Sequence, residues 1–398
     1  MRRHLVIRKH LFDLPDGVIY LDGNSLGPLP KGAAARVAEM MREEWGGQLI
    51  GGWNGAGWMD QPARVGDRVG ALIGAPAGTV MMGDTLSVKV FQALAAALDM
   101  AGPRRVILSD RGNFPTDLYM AQGLIDALGR GHKLRLVDPE EVMHAITDEV
   151  AVVMLTHVDY RTGRMHDMAE VTARAHAAGA VMIWDLAHSA GAVPVDLSGS
   201  GCAFAVGCTY KYLNGGPGAP AFVYVRADLA DTVEPILAGW LGHAAPFDFD
   251  LGYRPAPGSG RLRVGTPPVL QMTALEAALS VWEGVDISEL RRESMRLQEV
   301  FITQVEARVP QLRLASPRDP EARGSQVSFA FAHGYAAIQA LIARGVIGDF
   351  RAPDIMRFGF TPLYLDEADV RAAVDHIEVV IRDRLWDQPE YLARKAVT

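Results

Sequence analysis

Between about residues 60 and 230, short β-rich runs alternate with helical patterns, and this alternation restricts the fold more than any other feature of the sequence. Arg105 to Ser109, Ala151 to Leu155, Ala180 to Asp185 and Ala221 to Val225 read as buried strands, since they are apolar almost throughout instead of at every second residue. Met168 to Ala178 has helical periodicity and stops at Gly179, the residue type that most readily ends a helix in a left-handed conformation. Strand, helix and strand in repeated order predict an α/β fold, with a largely parallel sheet covered by helices on both faces. In such sheets a ligand is reached at the carboxyl ends of the strands.

At 398 residues the chain is longer than one core usually organises, so two domains of unequal size are expected. Ala244 to Pro268 is rich in proline and glycine and has no periodicity, and it reads as a long loop leaving the first domain. After it come a helical pattern from Leu270 to Trp282, a charged helix from Ser288 to Ala307, a strand from Gln326 to Phe331, and helices over Ala336 to Ala343 and Asp366 to Arg382. This order predicts a smaller α+β domain. The expected division is an N-terminal segment 1–55 packing with the small domain, a large domain 56–265 and a small domain 266–398.

The formal charge of −8, from 39 basic and 47 acidic residues, is spread without long blocks of either sign. That balance argues against a nucleic-acid partner and for a small soluble ligand. No apolar run reaches the roughly 18 residues of a membrane span. The basic start, Met1 to His10, has no apolar segment of the kind an export signal carries. Cys202 and Cys208 are too few for a disulfide framework, and no Cys/His set has zinc spacing, so a cytoplasmic protein without a metal site is expected.

Two stretches carry chemistry. Ala205 to Gly216 is an apolar run that ends in Tyr210, Lys211 and Tyr212 and is followed by glycines. Val181 to Asp185 ends a hydrophobic strand on an acid, with His188 just beyond. A lysine able to form a Schiff base, together with an acid able to keep a pyridinium nitrogen protonated, is the minimum apparatus for pyridoxal phosphate chemistry. An exposed lysine rarely follows so apolar a run, whereas a Schiff-base lysine needs partial burial. His188 reads equally as a cofactor contact or as structural support. Gly83 to Val88 opens the apolar helix Val88 to Leu98 and offers backbone N–H groups and hydroxyls to a phosphate, although Thr85 or Ser87 could simply cap that helix. Phe114-Pro115-Thr116-Asp117 places an aromatic ring shortly after a strand, where it could stack on a ligand ring or merely pack.

Taken together, Asp185-Leu186-Ala187-His188, Tyr210-Lys211-Tyr212-Leu213-Asn214, Phe114-Pro115-Thr116-Asp117 and Gly239-Trp240-Leu241-Gly242-His243 resemble the kynureninase family. The resemblance runs from Leu21-Asp22-Gly23-Asn24-Ser25-Leu26-Gly27 to Arg357-Phe358-Gly359-Phe360-Thr361-Pro362-Leu363-Tyr364. It implies a fold-type-I, class-V-aminotransferase-like enzyme, with a mainly parallel seven-stranded sheet in the large domain and a smaller α+β C-terminal domain. It further implies a homodimer with sites at the subunit interface, cleaving L-kynurenine to anthranilate and L-alanine. By the resemblance Lys211 carries the cofactor, Asp185 holds the pyridinium and Phe114 stacks on the ring. Leu86, Ser87, Pro115, Thr116, Asp117, Thr156, His188, Tyr210 and Trp240 complete the cofactor pocket. Thr266 stands where animal enzymes have Asn and would come from the neighbouring subunit. Arg357 would grip the substrate α-carboxylate, a role its planar fork suits. Tyr210 is either a proton shuttle or a phosphate contact. His243, Trp53 and Trp58 are candidates for the substrate's aniline ring, and the sequence leaves open whether that ring carries a 3-hydroxyl group. A desulfurase or aminotransferase of the same fold, or a non-catalytic relative, is the rival reading.

Overall fold

The computed structural model describes residues 7–394; most of the basic start, residues 1–6, lies outside the described residues, as do residues 395–398. The run Val150–Thr156 is buried at every position, which is the signature of a strand covered on both faces. It is the fourth of seven strands: β1 (Val80–Met82), β2 (Val106–Asp110), β3 (Lys133–Val137), β4 (Val150–Thr156), β5 (Val181–Asp185), β6 (Phe204–Gly207) and β7 (Phe222–Val225). They form one sheet in the order β1-β7-β6-β5-β4-β2-β3. The four expected strands appear as β2, β4, β5 and β7, each within a residue of its predicted start and end.

Six strands run in one direction and β7 runs against both its neighbours. The reason is local. No helix separates β6 from β7, and only a crossover connection returns a chain to the same end of a sheet. The β6–β7 connection therefore stays at the carboxyl end of β6, and it carries Lys211. The helix Met168–Ala177 begins with the Asp167 carboxylate accepting the Glu170 N–H at 2.9 Å and is followed by Gly179 at φ +73°. Its Thr172 hydroxyl accepts the indole N–H of the fully buried Trp184 on β5 at 3.0 Å.

The loop from Ala244 contains a single short turn of 3₁₀-helix, Gly258–Leu262. Beyond it the helix Val269–Ala278 packs on the N-terminal helix Lys31–Glu39, and the long helix Ile287–Arg308 starts at Asp286, whose carboxylate takes two backbone N–H groups. A second, antiparallel sheet follows: β8 (Arg313–Leu314), β9 (Gln326–Ala330), β10 (Asp349–Arg351) and β11 (Ile355–Gly359), in the order β8-β9-β11-β10. Phe301 packs against Phe329, Phe358 and Phe360 at centroid distances of 5.1 to 6.0 Å and anchors the core beneath it. The helix Glu367–Arg382 opens with a capping box between Asp366 and Asp369.

The N-terminal segment ties the two sheets together. Ile19–Tyr20 pairs in parallel with Val346–Ile347, and the Leu21 carbonyl accepts the Gly359 N–H at 2.7 Å. Six residues on, the Gly27 N–H donates to the Tyr210 carbonyl at 2.8 Å. A Cβ on Gly27 would lie 2.2 Å from the Lys211 carbonyl oxygen, so no larger residue fits there. Among the described residues no helix is long and apolar enough to cross a membrane.

Candidate active site

Thr156 and Asp185 are cross-strand partners on the last rung between β4 and β5. One oxygen of Asp185 accepts the Ala187 N–H at 2.8 Å; the other has only the Thr156 hydroxyl, at 3.5 Å. Beyond β6 the chain turns back sharply after Lys211, with Asn214 at φ +60°, a conformation Asn tolerates better than most residues, and with the Gly215 N–H on the Thr209 carbonyl at 2.8 Å. This turn leaves Lys211 half-buried, its Nζ 2.9 Å from His188 Nε2 and 5.8 Å from the centre of the Tyr210 ring.

Burial dominates the electrostatics. It pushes the Asp185 carboxyl from 3.8 up to about 6, against the lowering pull of Lys211, the Ala187 N–H and the Thr156 hydroxyl. Asp117 is held well above the carboxylate range, first by burial and then by Asp185, and its Oδ2 has no hydrogen-bond partner. His188 lies well below the usual imidazole range, through burial and then Lys211, so the ring is neutral and its Nε2 can accept a hydrogen bond from Lys211 Nζ. Proximity to Cys208 and burial both push the Tyr210 phenol up.

Phe114 caps the helix Pro115–Leu128, with its ring exposed and set edge-on to Tyr160 at 5.2 Å. Pro115 and Thr116 form the half-buried start of that helix. Asn113 fixes this corner: its amide donates to Ser109 Oγ at 2.9 Å, and its carbonyl accepts the Phe114 N–H at 2.7 Å and the Thr156 hydroxyl. Leu86 and Ser87 occupy the first turn of the helix Leu86–Met100, whose N-cap, Thr85, makes no side-chain capping bond. The simple capping alternative for this turn therefore does not hold, and the first N–H groups of that helix receive no hydroxyl from Thr85.

Arg357 on β11 is fully buried, and its charge acts on His188. Its Nε donates to Asp349 Oδ1 at 2.6 Å, its Nη2 to Asp349 Oδ2 and its Nη1 to the Tyr160 carbonyl.

Trp240 and Thr266 are not drawn into this cluster. Trp240 is exposed and packs edge-on against Phe247 at 5.8 Å, and Thr266 stands exposed on its loop. Of the ring candidates, Trp58 packs on Trp53 and donates to Glu44 at 2.8 Å, while His243 Nδ1 accepts the Ala245 N–H at 3.0 Å and the ring leans on Tyr253. The residues that sequence reasoning passed over are Asn113, Tyr160 and Asp349. Only Asn113 had a local signal, as the neighbour of Phe114. Cys202 and Cys208 are buried, and burial raises both thiols, Cys202 to about 11. Neither is placed as a reactive thiolate.

These residues fit pyridoxal phosphate. A buried carboxyl with one weakly held oxygen suits a pyridinium N–H, the unpartnered Asp117 Oδ2 and His188 Nδ1 suit polar groups of a ligand, and the uncapped helix start suits a phosphate.

Comparison with known proteins agrees. Residues 290–377 match the kynureninase C-terminal domain, and residues 132–201 match the DegT/DnrJ/EryC1/StrS aminotransferase family. The chain is 52% identical to a kynureninase of Burkholderia pseudomallei (strain 1106a) and 51% identical to one of Pseudomonas fluorescens, in each case over 97% of this chain and 95% of the relative. Among solved structures, a cysteine desulfurase from Thermococcus onnurineus NA1 superimposes with a TM-score of 0.80 at 20% identity, over 96% of this chain and 99% of that one. A C-DES mutant with glycine covalently linked to its PLP cofactor gives a TM-score of 0.79 at 17% identity, over 93% and 98%. These two show the shared fold-type-I architecture. With half of its residues identical over nearly its whole length, the chain belongs to the kynureninase family, pyridoxal-phosphate-dependent hydrolases that act on carbon–carbon bonds.

Proposed function

We propose that the pocket around Lys211 cleaves the Cβ–Cγ bond of L-kynurenine with water, releasing anthranilate and L-alanine. The observation that carries this reading is the meeting of Lys211, neutral His188 and buried Asp185 at the carboxyl ends of β5 and β6, with the Arg357 charge reaching the same place. Bound pyridoxal phosphate supplies an electron sink for the negative charge that develops at the substrate α-carbon. Lys211 Nζ removes the α-proton, and His188 Nε2 orients that amine without adding a second positive charge. Asp185 opposes the pyridine nitrogen. Phe114 covers the ring, and Leu86, Ser87, Pro115, Thr116, Asp117, Thr156 and Tyr210 complete the pocket.

Arg357 receives the α-carboxylate. Three of its five N–H groups are taken by Asp349 and Tyr160, so one on each Nη is left for a ligand. Tyr210, beside Lys211, is our candidate for moving protons at the γ-carbonyl as the bond breaks.

A second copy of the chain completes the site. Trp240, Phe247, Phe249 and Leu251 leave an apolar patch open to solvent on the loop that leads to Thr266, which is how a surface meant to be covered looks. Mixing the holoenzyme with kynurenine and following anthranilate fluorescence tests the reading. No fluorescence from a protein that holds its cofactor would overturn it.

A further inference from the structure

Asp349 on β10 sits between two cations, with Arg357 bonded to both of its oxygens and Arg351 Nη2 at 2.9 Å from Oδ2. Asp349 and Arg357 are each only 1% exposed. A third strand of chain adds a second acid: Asp22 follows directly on Leu21, which is pinned to Ile347 and Gly359 by two backbone bonds of 2.7 Å. Asp22 lies close enough to Asp349 to feel its charge, and its Oδ1 is buried with no partner. Two neighbouring carboxylates repel, and one proton held between them removes that repulsion. An ionised Asp22 would also leave a buried anionic oxygen uncompensated.

Charge counting gives this pair a purpose. With both acids ionised, Asp22, Asp349, Arg351 and Arg357 sum to zero, and an incoming carboxylate would find no net countercharge. With one proton held by the acids the cluster is +1, which a single α-carboxylate neutralises. We propose that Asp22 and Asp349 share one proton, so that the cluster presents one net positive charge to the substrate α-carboxylate, with Asp349 as the positioning residue that aims the free edge of Arg357. This rests on the reading of Arg357 as the carboxylate site. Around the pair, Tyr20, Tyr212 and Tyr364 are the other titratable groups that feel Asp22, and burial leads the causes that raise all three phenols, so they stay neutral near it. Burial and then Asp349 raise the Asp22 carboxyl well above its usual range, while Arg357 and Arg351 oppose them. Protonated Asp22 therefore persists at low pH and is lost as pH rises.

The test is the pH profile of KM for kynurenine in the holoenzyme, together with the infrared C=O stretch of a protonated carboxyl group. In the natural protein KM should climb by about tenfold per pH unit on the alkaline side, as one proton is lost from the binding-competent form. Asp22→Asn should flatten that climb and remove a protonated-carboxyl band. Asp349→Asn should raise KM by about tenfold or more at every pH, without the alkaline climb, while kcat falls by less than about threefold. If Asp22→Asn does not hold cofactor, the loss of slope in Asp349→Asn carries the same test. An alkaline climb that survives in the substituted protein, or a band that persists in Asp22→Asn, overturns the shared proton. A normal KM in Arg357→Lys overturns the carboxylate assignment itself; a raised KM there, with the slope unaltered in Asp22→Asn, overturns the shared proton alone.

Discussion

Asp185→Asn should make the cofactor-free protein more stable and the enzyme worse. The Asp185 carboxyl is fully buried, and its titration moves from 3.8 to about 6. A displacement of that size corresponds to about 3 kcal/mol. Because folding raises this group, its contribution to stability is complete below about pH 4, declines as pH rises, and is lost above about pH 6. An amide at this position cannot ionise. It can still accept the Ala187 N–H, and its own N–H₂ can donate to Thr156 Oγ1, whose hydroxyl already points to Asn113. At pH 8 cofactor-free Asp185→Asn should therefore be up to about 3 kcal/mol more stable than its parent, or about 4 °C in Tm for a chain of 398 residues. The gain should fade on acidification and vanish near pH 4. With pyridoxal phosphate bound the order should reverse, since the amide offers the pyridine nitrogen no charge. Paired thermal melts at pH 4, 6 and 8, with and without cofactor, measure both effects. Equal melts at pH 8, or a gain that does not change with pH, would refute the argument from desolvation.

Lys211→Ala should lose both turnover and the visible absorbance of the lysine-bound cofactor, read in a single spectrum before and after addition of kynurenine. Gly27→Ala forces a methyl group to 2.2 Å from the Lys211 carbonyl and 2.9 Å from Asn214 Cα. It should cost about 1–3 kcal/mol in urea unfolding and weaken cofactor retention, whereas Gly32→Ala, with nothing within 4 Å, should be harmless. Leu251→Lys, at a fully exposed position of the apolar patch, should shift the protein toward half its native mass in light scattering while the separated chains keep their circular dichroism. An unchanged mass would count against that face as the subunit contact.

The central strands were legible because β2, β4 and β5 are buried on both faces and so had to be written in apolar residues. β3, Lys133–Val137, was not, since it lies at the sheet edge with no residue fully buried and carries two basic side chains. The opposed direction of β7 was hidden for another reason: strand pattern reports burial, not polarity of pairing. Lys211 and Asp185 stood out because each charge ends an apolar run. Asp349 and Asp22 did not, because each is an ordinary acid until chain folding brings it to Arg357. Trp240 and Thr266 were named through family resemblance alone, and a single copy of the chain gives them no partner near Lys211.

The N-terminal segment has a consequence for how the molecule is born. It is made on the ribosome long before its partners, so the Leu21 carbonyl must wait for Gly359, and the Gly27 amide must wait for Tyr210. A nascent chain can build the central sheet and even place Lys211 long before the segment from Ile19 to Asp22 has anything to dock on. Closure over the lysine is thus a late, high-contact-order event, separated from synthesis of its own residues by almost the whole length of the chain. Any delay between the two leaves the apolar residues around Ile19 and Leu21 exposed to neighbours, which makes this segment a point where misfolding could begin.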